Sequence, residues 1–421
     1  MIITFINNGF NRFGVWRIAT SVMALCFTLF ITQITELNNA GIFFILMVCV
    51  SLPLNIFAVG LGKLIAEQNT KLTSRDFAIY TSIAVIITSI VAPGLNWALQ
   101  QPTSFQLFDS VIIVTSSAIA TVSYLLLQRK IAVIKDFPVA RIYFNQTSTS
   151  IIFASVAAIF LETPVIWLLC YWSSQIFTIL VLELKYKSSV LGKAVSGLSE
   201  SFSPKLLIQF FYTGITLYLI QFTLTNYHRI SFGSNTELVA IVHIAITPVT
   251  SLLIIIDRYF YETYGKKVLQ KDSITKTSHS RLMSLYFTYQ IIALFAGSCA
   301  STAILFFMFD NNFSNTLIII NFVLTCNFCF LVLVQYRQTY ANLMKRNKQL
   351  NKPNFGILVL FTLMLFWSKS HNLQIEHITM LVGILGLVYL ISEQHLLRRH
   401  AVNLGFVILS MASLNILTYF M

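Results

Sequence analysis

Charge is scarce in this 421-residue chain, and negative charge is the scarcer sign. Fifteen Asp and Glu stand against 28 Lys and Arg, and only 10% of residues are charged. A water-soluble domain carries charge on roughly a quarter of its residues, so that class is excluded. A mean hydropathy of +0.76 agrees. The apolar runs are continuous, without the alternating ten-residue segments of a membrane β-barrel. The sequence therefore predicts an all-α polytopic membrane protein. Cysteine is sparse too: Cys26, Cys49, Cys170, Cys299, Cys326 and Cys329 all fall inside apolar runs, which excludes a disulfide framework. Cys326 and Cys329 form a C-x-x-C with no second pair, a pattern that packing in an apolar helix explains. Neither a metal nor a cofactor is expected. The opening MIITFINNGFNRFGVW has no basic stretch followed by a small-residue cleavage site, so the first apolar run is expected to stay as a helix.

Hydropathy places spans near 13–34, 40–62, 76–99, 105–127, 146–162, 164–183, 206–227, 237–257, 282–308, 315–335, 355–369 and 377–392. A further apolar run over 402–420 is either a thirteenth span or a sign that the short helices before it are misread. Of the 28 Lys and Arg, all but Arg229 and Lys369 fall in the N-terminal arm and alternate loops. Cytoplasmic loops collect Lys and Arg, so this segregation predicts a cytoplasmic N-terminus and makes nucleic acid an unneeded partner for the +13 charge. The loops on the other side are short, and no outer domain is expected.

Only eight prolines occur, and two of them repeat a position. At an offset of 195, Pro248 falls on Pro53 and the turn Gly233-Ser234-Asn235 falls on Asn38-Asn39-Ala40. Each copy reads as an apolar helix, a polar turn, a proline-interrupted apolar helix and a basic exit. Repeated halves with a discontinuous helix at the same place are the sequence pattern of a transporter, although proline is also common in membrane helices. The polar stretch Leu184–Lys205 reads as the linker. The predicted organisation is two six-helix bundles, 1–195 and 196–392, related by a pseudo-two-fold axis along the membrane normal, with an extra C-terminal helix over 393–421.

Four segments carry a resemblance: RIATSVMAL (Arg17–Leu25), AGIFFIL (Ala40–Leu46), FAVGLGK (Phe57–Lys63) and HRISFG (His228–Gly233). With the repeat pattern, the chain resembles the lipid-linked oligosaccharide flippases of the multidrug/oligosaccharidyl-lipid/polysaccharide (MOP) superfamily, the Wzx-type O-antigen translocases. In that family the last segment more usually opens with Asp-Arg, where this chain has His228-Arg229. The resemblance implies two bundles forming a V around a cavity that opens to either side in turn. Its cargo would be undecaprenyl-pyrophosphate-linked glycan, carried outward across a bacterial inner membrane in company with other polysaccharide assembly proteins.

Such a cargo needs a hydrated, cationic route through hydrocarbon. Arg17, about one turn inside the first span, either snorkels to the cytoplasmic surface or binds pyrophosphate. His228 and Arg229 break the positive-inside pattern on the outer side and are candidate cargo ligands or interfacial anchors. His243 lies mid-span, as a hydrogen-bonded packing residue or a phosphate ligand. Asp109 and Glu237 open outer helix ends, where a carboxylate either caps the helix or takes a coupling ion. Pro53 and Pro248 are candidate hinges. Two rivals stand beside the flippase. A cation-coupled multidrug exporter would need a carboxylate deep in an N-terminal span. A membrane polysaccharide polymerase would need outer loops large enough to carry catalytic groups.

Overall fold

The computed structural model describes residues 15–58, 74–100, 107–133, 139–186, 235–260 and 276–309, together with Val359 and Leu363. Among these residues there is no strand. The helices are α1 (Val15–Ile34), α2 (Leu37–Pro53, continued by a π-turn over Leu54–Ala58), α3 (Ser74–Gln100), α4 (Leu107–Val133), α5 (Val139–Phe160), α6 (Pro164–Tyr186), α7 (Thr236–Phe260) and α8 (Lys276–Phe309). Seven of them are long and apolar enough to cross a membrane. The chain is an all-α polytopic membrane protein. The expected spans over 206–227, 315–335 and 377–392, the run over 402–420 and most of 355–369 lie outside the described residues, as do Cys326 and Cys329.

The helices extend beyond the hydropathic runs at several ends. The largest difference is α5, expected from 146 and observed from Val139. The seven added residues, 139–145, include Arg141, one of the basic residues that mark the expected loop. Farther along, the polar side chains of α5 are paired inside the bundle: Gln146 Nε2 donates to Gln175 Oε1 at 3.0 Å, and Ser174 donates to Ser150 Oγ at 2.8 Å. A buried side-chain amide whose partner is another amide has no need of water.

Local chemistry fixes the turns. Between α1 and α2, Thr35 N–H closes onto the Ile31 carbonyl and its hydroxyl onto the same oxygen at 2.7 Å, ending α1 cleanly. Between α5 and α6, Pro164 sits at the first helical position, where its missing N–H leaves nothing unsatisfied. Trp167, fully buried, donates its indole N–H to the Leu161 carbonyl at 2.6 Å and so holds that turn closed. Asn235 caps α7, its Oδ1 accepting from Leu238 N–H at 3.1 Å.

The two repeated prolines behave differently. At Pro53 the α-helix stops and a π-turn takes over, and the Asn55 side-chain amide reaches back to the Ser51 carbonyl at 2.7 Å. Proline removes one rung of the ladder, and a neighbouring polar side chain supplies a donor to the disturbed turn. Pro248 was expected to interrupt its helix as well, but α7 runs through it as α-helix. Around it, Thr247 Oγ1 donates to the His243 carbonyl at 2.7 Å and Thr250 Oγ1 to the Ile246 carbonyl at 3.1 Å.

The chain divides into two compact units. One comprises Cys26–Phe222 with Phe232–Ala240. Within it α4 packs against α3 and α6, α5 against α6, and α2 against α3 and α6. An aromatic cluster joins three of its helices: Phe27 of α1 meets Phe43 of α2 edge-on at 5.9 Å, and Phe43 meets Trp167 of α6 at 5.9 Å. The other unit comprises Met1–Leu25, Thr223–Ser231 and Ile241–Met421. There α7 and α8 approach closely at Gly297, where an added Cβ would lie 2.7 Å from the Val249 Cα. The Gln290 Nε2, fully buried on α8, donates to the Tyr286 hydroxyl at 3.1 Å and to the Leu253 carbonyl of α7 at 3.4 Å.

Candidate functional site

A membrane carrier for a polar cargo needs polar or charged groups among apolar helices, and α3 to α6 hold many. The Thr88 and Thr121 hydroxyls share a hydrogen bond of 2.9 Å between α3 and α4. The Gln146–Gln175 and Ser150–Ser174 bonds tie α5 to α6, and Gln128 of α4 donates to the Tyr143 hydroxyl of α5 at 3.0 Å. Hydrophobic attraction between helices is absent in lipid, so such bonds and close packing hold a bundle together.

Two cations lie within that bundle. Arg129 is 9% exposed and Lys130 only 2%. By sequence both belong to a basic cytoplasmic loop. In the structure α4 continues past them to Val133, so they stand on helix, packed within the bundle. The Arg129 guanidinium lies 4.5 Å from the centre of the Phe77 ring on α3, a contact of about 2 kcal/mol when desolvated. Counting residues by side cannot separate a buried cation from a solvated one. The signal available was position, since Leu125-Leu126-Leu127-Gln128 runs into the pair without a turn residue.

The expected site residues are placed as follows. Arg17 is half-buried on α1, and His243 half-buried on α7 one and a half turns before the buried Pro248; both belong to the unit that holds α8. Asp109, half-buried, lies in the first turn of α4, and Glu237, exposed, in the first turn of α7, both in the other unit. Pro53 is buried on α2. His228 and Arg229 lie outside the described residues. Among the described residues no three His, Cys, Asp or Glu side chains gather as a metal site would require.

One contact missed by sequence reasoning joins the first turns of α2 and α7. Gly41 packs against the backbone of Thr236: a Cβ there would lie 2.5 Å from the Thr236 carbonyl carbon and 3.0 Å from its Cα. Alongside, the Thr236 hydroxyl donates to Asn38 Oδ1. Gly41 and Thr236 are separated by the same 195 positions that superpose Pro53 on Pro248. Only glycine at 41 permits the contact.

No protein-family profile matches the sequence, and no curated protein does. Solved structures do match in fold. A MOP superfamily transporter from Pyrococcus furiosus, described as having a binding pocket of reverse polarity that suggests a different function, superposes with a TM-score of 0.52 at 13% identity, covering 94% of this chain and 95% of its own. An outward-facing multidrug resistance transporter of the MATE family, in the same superfamily, superposes with a TM-score of 0.51 at 12% identity over 94% and 95% of the two chains. This chain shares their fold across nearly its whole length.

Proposed function

We propose that this chain is a MOP-type transporter with an anionic cargo: undecaprenyl-pyrophosphate-linked oligosaccharide, moved from the cytoplasmic to the periplasmic leaflet of a bacterial inner membrane by alternating access. The observation that carries the reading is the sign of the buried charge. Among the residues whose side-chain burial is described, the buried ionisable side chains of Asp, Glu, Lys and Arg are Arg129 and Lys130, both cations. Ionisable groups inside a membrane protein mark what it handles, because they are costly to bury. A carrier for cationic drugs needs a carboxylate in that place. The acids whose side-chain burial is described, Glu36, Asp76, Asp109, Glu162 and Glu237, instead sit at helix ends and turns.

The chemistry then divides the cargo. Its polyprenyl tail stays in the lipid, and only the pyrophosphate and sugars need a polar route. Arg17, His228, Arg229 and His243 are the candidate head-group ligands, and Asp109 and Glu237 the candidate coupling sites. The described turns are as short as the sequence implies: α5 and α6 are joined by Leu161–Thr163. Such turns offer little platform for a polymerase.

The test is reconstitution. Liposomes carrying a fluorescent lipid-linked oligosaccharide in the inner leaflet are given purified protein, and label reaching the outer leaflet is read by a membrane-impermeant quencher. Protein-dependent transfer supports the reading. Transfer of a cationic dye in its place would move the assignment to drug export, and chain elongation of the glycan would move it to a polymerase.

A further inference from the structure

Along α4 four polar residues recur every seven positions: Asp109, Ser116, Ser123 and Lys130. Seven residues advance an α-helix by about 10.5 Å with a drift of only about 20°, so the four form one nearly straight stripe. The stripe runs on the packed side of the helix, since Val111, Val114, Thr115 and Val122 carry its exposed side. Ser116 is 0% exposed and Ser123 1%. Among the described residues neither hydroxyl has a hydrogen-bond partner, and the same holds for the neighbouring Ser117. Other hydroxyls close onto their own helix: Thr115 bonds the carbonyl four residues back, as do Ser148 and Thr149 on α5. The Thr81 and Ser89 hydroxyls on α3, the helix on the other side of α4, are buried without a partner among the described residues, as the stripe serines are. On α6, the helix packed against α4, the Trp172 indole N–H is likewise buried and without a partner.

Buried polar atoms in a native protein are satisfied, and where protein supplies no partner, water or an ion does. Several such atoms in one bundle, in line with a carboxylate at the outer end, outline a hydrated lane. We propose that the α4 stripe is an outward-opening half-channel for a small monovalent cation, hydronium or sodium. Asp109 draws the cation in at the mouth. Ser116 and Ser123 serve it in the interior, each hydroxyl able both to donate to water and to accept from it or ligate a cation. Lys130 closes the inner end, where a fixed positive charge bars cations from leaking through, as charged constrictions do in other pores. Arg129 beside it adds to the barrier. A lane open at one end only is what ion-driven transport requires, because a through-channel would dissipate the gradient. The proposal rests on the transporter reading above and supplies its driving ion.

Silver ion tests it directly, being a small monovalent cation that captures thiols. In the full-length protein in lipid nanodiscs, Ser116→Cys and Ser123→Cys change little in size, and Leu125→Cys, buried off the stripe, serves as a dry control. Capture is read by peptide-resolved mass spectrometry as loss of later alkylation under denaturation, so the native cysteines need not be removed. Both stripe thiols are expected to be captured, and Leu125→Cys is not. Asp109→Asn is expected to slow capture about tenfold, within the range by which charged clefts focus counter-ions. Lys130→Met is expected to leave the Ser116→Cys rate unchanged. Absence of capture at either stripe thiol, capture equal to the control, or rates indifferent to Asp109→Asn would overturn the half-channel. Competition by sodium at fixed pH, against competition by acid at fixed sodium, distinguishes the two ions. The rates are read without cargo. Failed glycan transfer with fast capture therefore sinks the cargo assignment, and normal transfer with no capture sinks the half-channel alone.

Discussion

Replacing Gly41 by alanine puts the close approach of α2 and α7 to a quantitative test. The added Cβ would lie 2.5 Å from the Thr236 carbonyl carbon, a backbone atom that cannot rotate away. Comfortable carbon contacts begin near 3.5 Å, and the Thr236 carbonyl oxygen would be nearer still than its carbon, so the helix ends must part by more than about 1 Å. Overpacking of this kind costs about 1–3 kcal/mol. Against it, alanine favours the helical conformation by about 0.5–1 kcal/mol over glycine. The net expectation is destabilisation of about 1–2 kcal/mol, read as a lowering of the unfolding temperature by a few degrees in nanodiscs. Stability alone could fall for other reasons, so a second readout follows the separation itself. Cysteines at Asn38 and Thr236, whose side chains touch in the native protein, are expected to cross-link rapidly, and Gly41→Ala to slow that cross-link. An alanine variant as stable as the parent, with unchanged cross-linking, would refute the reasoning.

Three further outcomes follow from the packing. Gln146→Leu strands the Gln175 amide inside the α5–α6 contact and is expected to lower stability by about 1 kcal/mol, the usual scale for polar pairs in membrane bundles; the double variant Gln146→Leu/Gln175→Leu recovers most of the loss, as a double-mutant cycle in thermal unfolding will show. Trp167→Phe keeps the ring but removes the donor to the Leu161 carbonyl, and about 1 kcal/mol of stability with it, with faster proteolysis at the Leu161–Thr163 turn as the local readout. Gly297→Ala forces a Cβ to 2.7 Å from the Val249 Cα and is expected to cost about 1–3 kcal/mol, measured by the same unfolding assay; wild-type stability there would show that α7 and α8 can give way.

What the sequence made legible, and what it hid, has one physical root. Hydropathy reports whether a segment prefers lipid to water, and for α1 to α4 and α6 to α8 that preference is strong enough to find each helix. It fails where basic residues continue a helix. The first two turns of α5, residues 139–145, read as loop because Arg141 extends the basic run of Arg129, Lys130 and Lys135. Arg129 and Lys130 read as solvated loop residues because the positive-inside pattern is indifferent to burial. Proline spacing predicts a repeat, yet the two prolines diverge in effect: Asn55 follows Pro53 where its amide can serve the disturbed turn, whereas α7 carries Thr247 and Thr250 around Pro248 and stays α-helical.

The same distinction orders the candidate residues. Arg17, Asp109 and His243 are each half-buried, so their surroundings leave both an interfacial and an interior role open to experiment. Lys130 differs, because a side chain 2% exposed cannot be explained by snorkelling to a surface. Its burial at the end of a line that begins with Asp109 assigns the two ends of α4 opposite charges across the thickness of the membrane. A cation entering from the acidic end falls in energy and then meets a barrier, and an anion meets the reverse order. The orientation of α4 therefore decides which side can load the lane, and the cytoplasmic N-terminus that the basic-loop pattern predicts would make that side the outer one. Moving the acid to the other end, as Asp109→Asn combined with Lys130→Asp, should reverse that preference, so that silver applied from the cytoplasmic side in oriented vesicles captures Ser123→Cys first. Capture that stays faster from the outer side in this variant would show that charge order does not set the direction of loading.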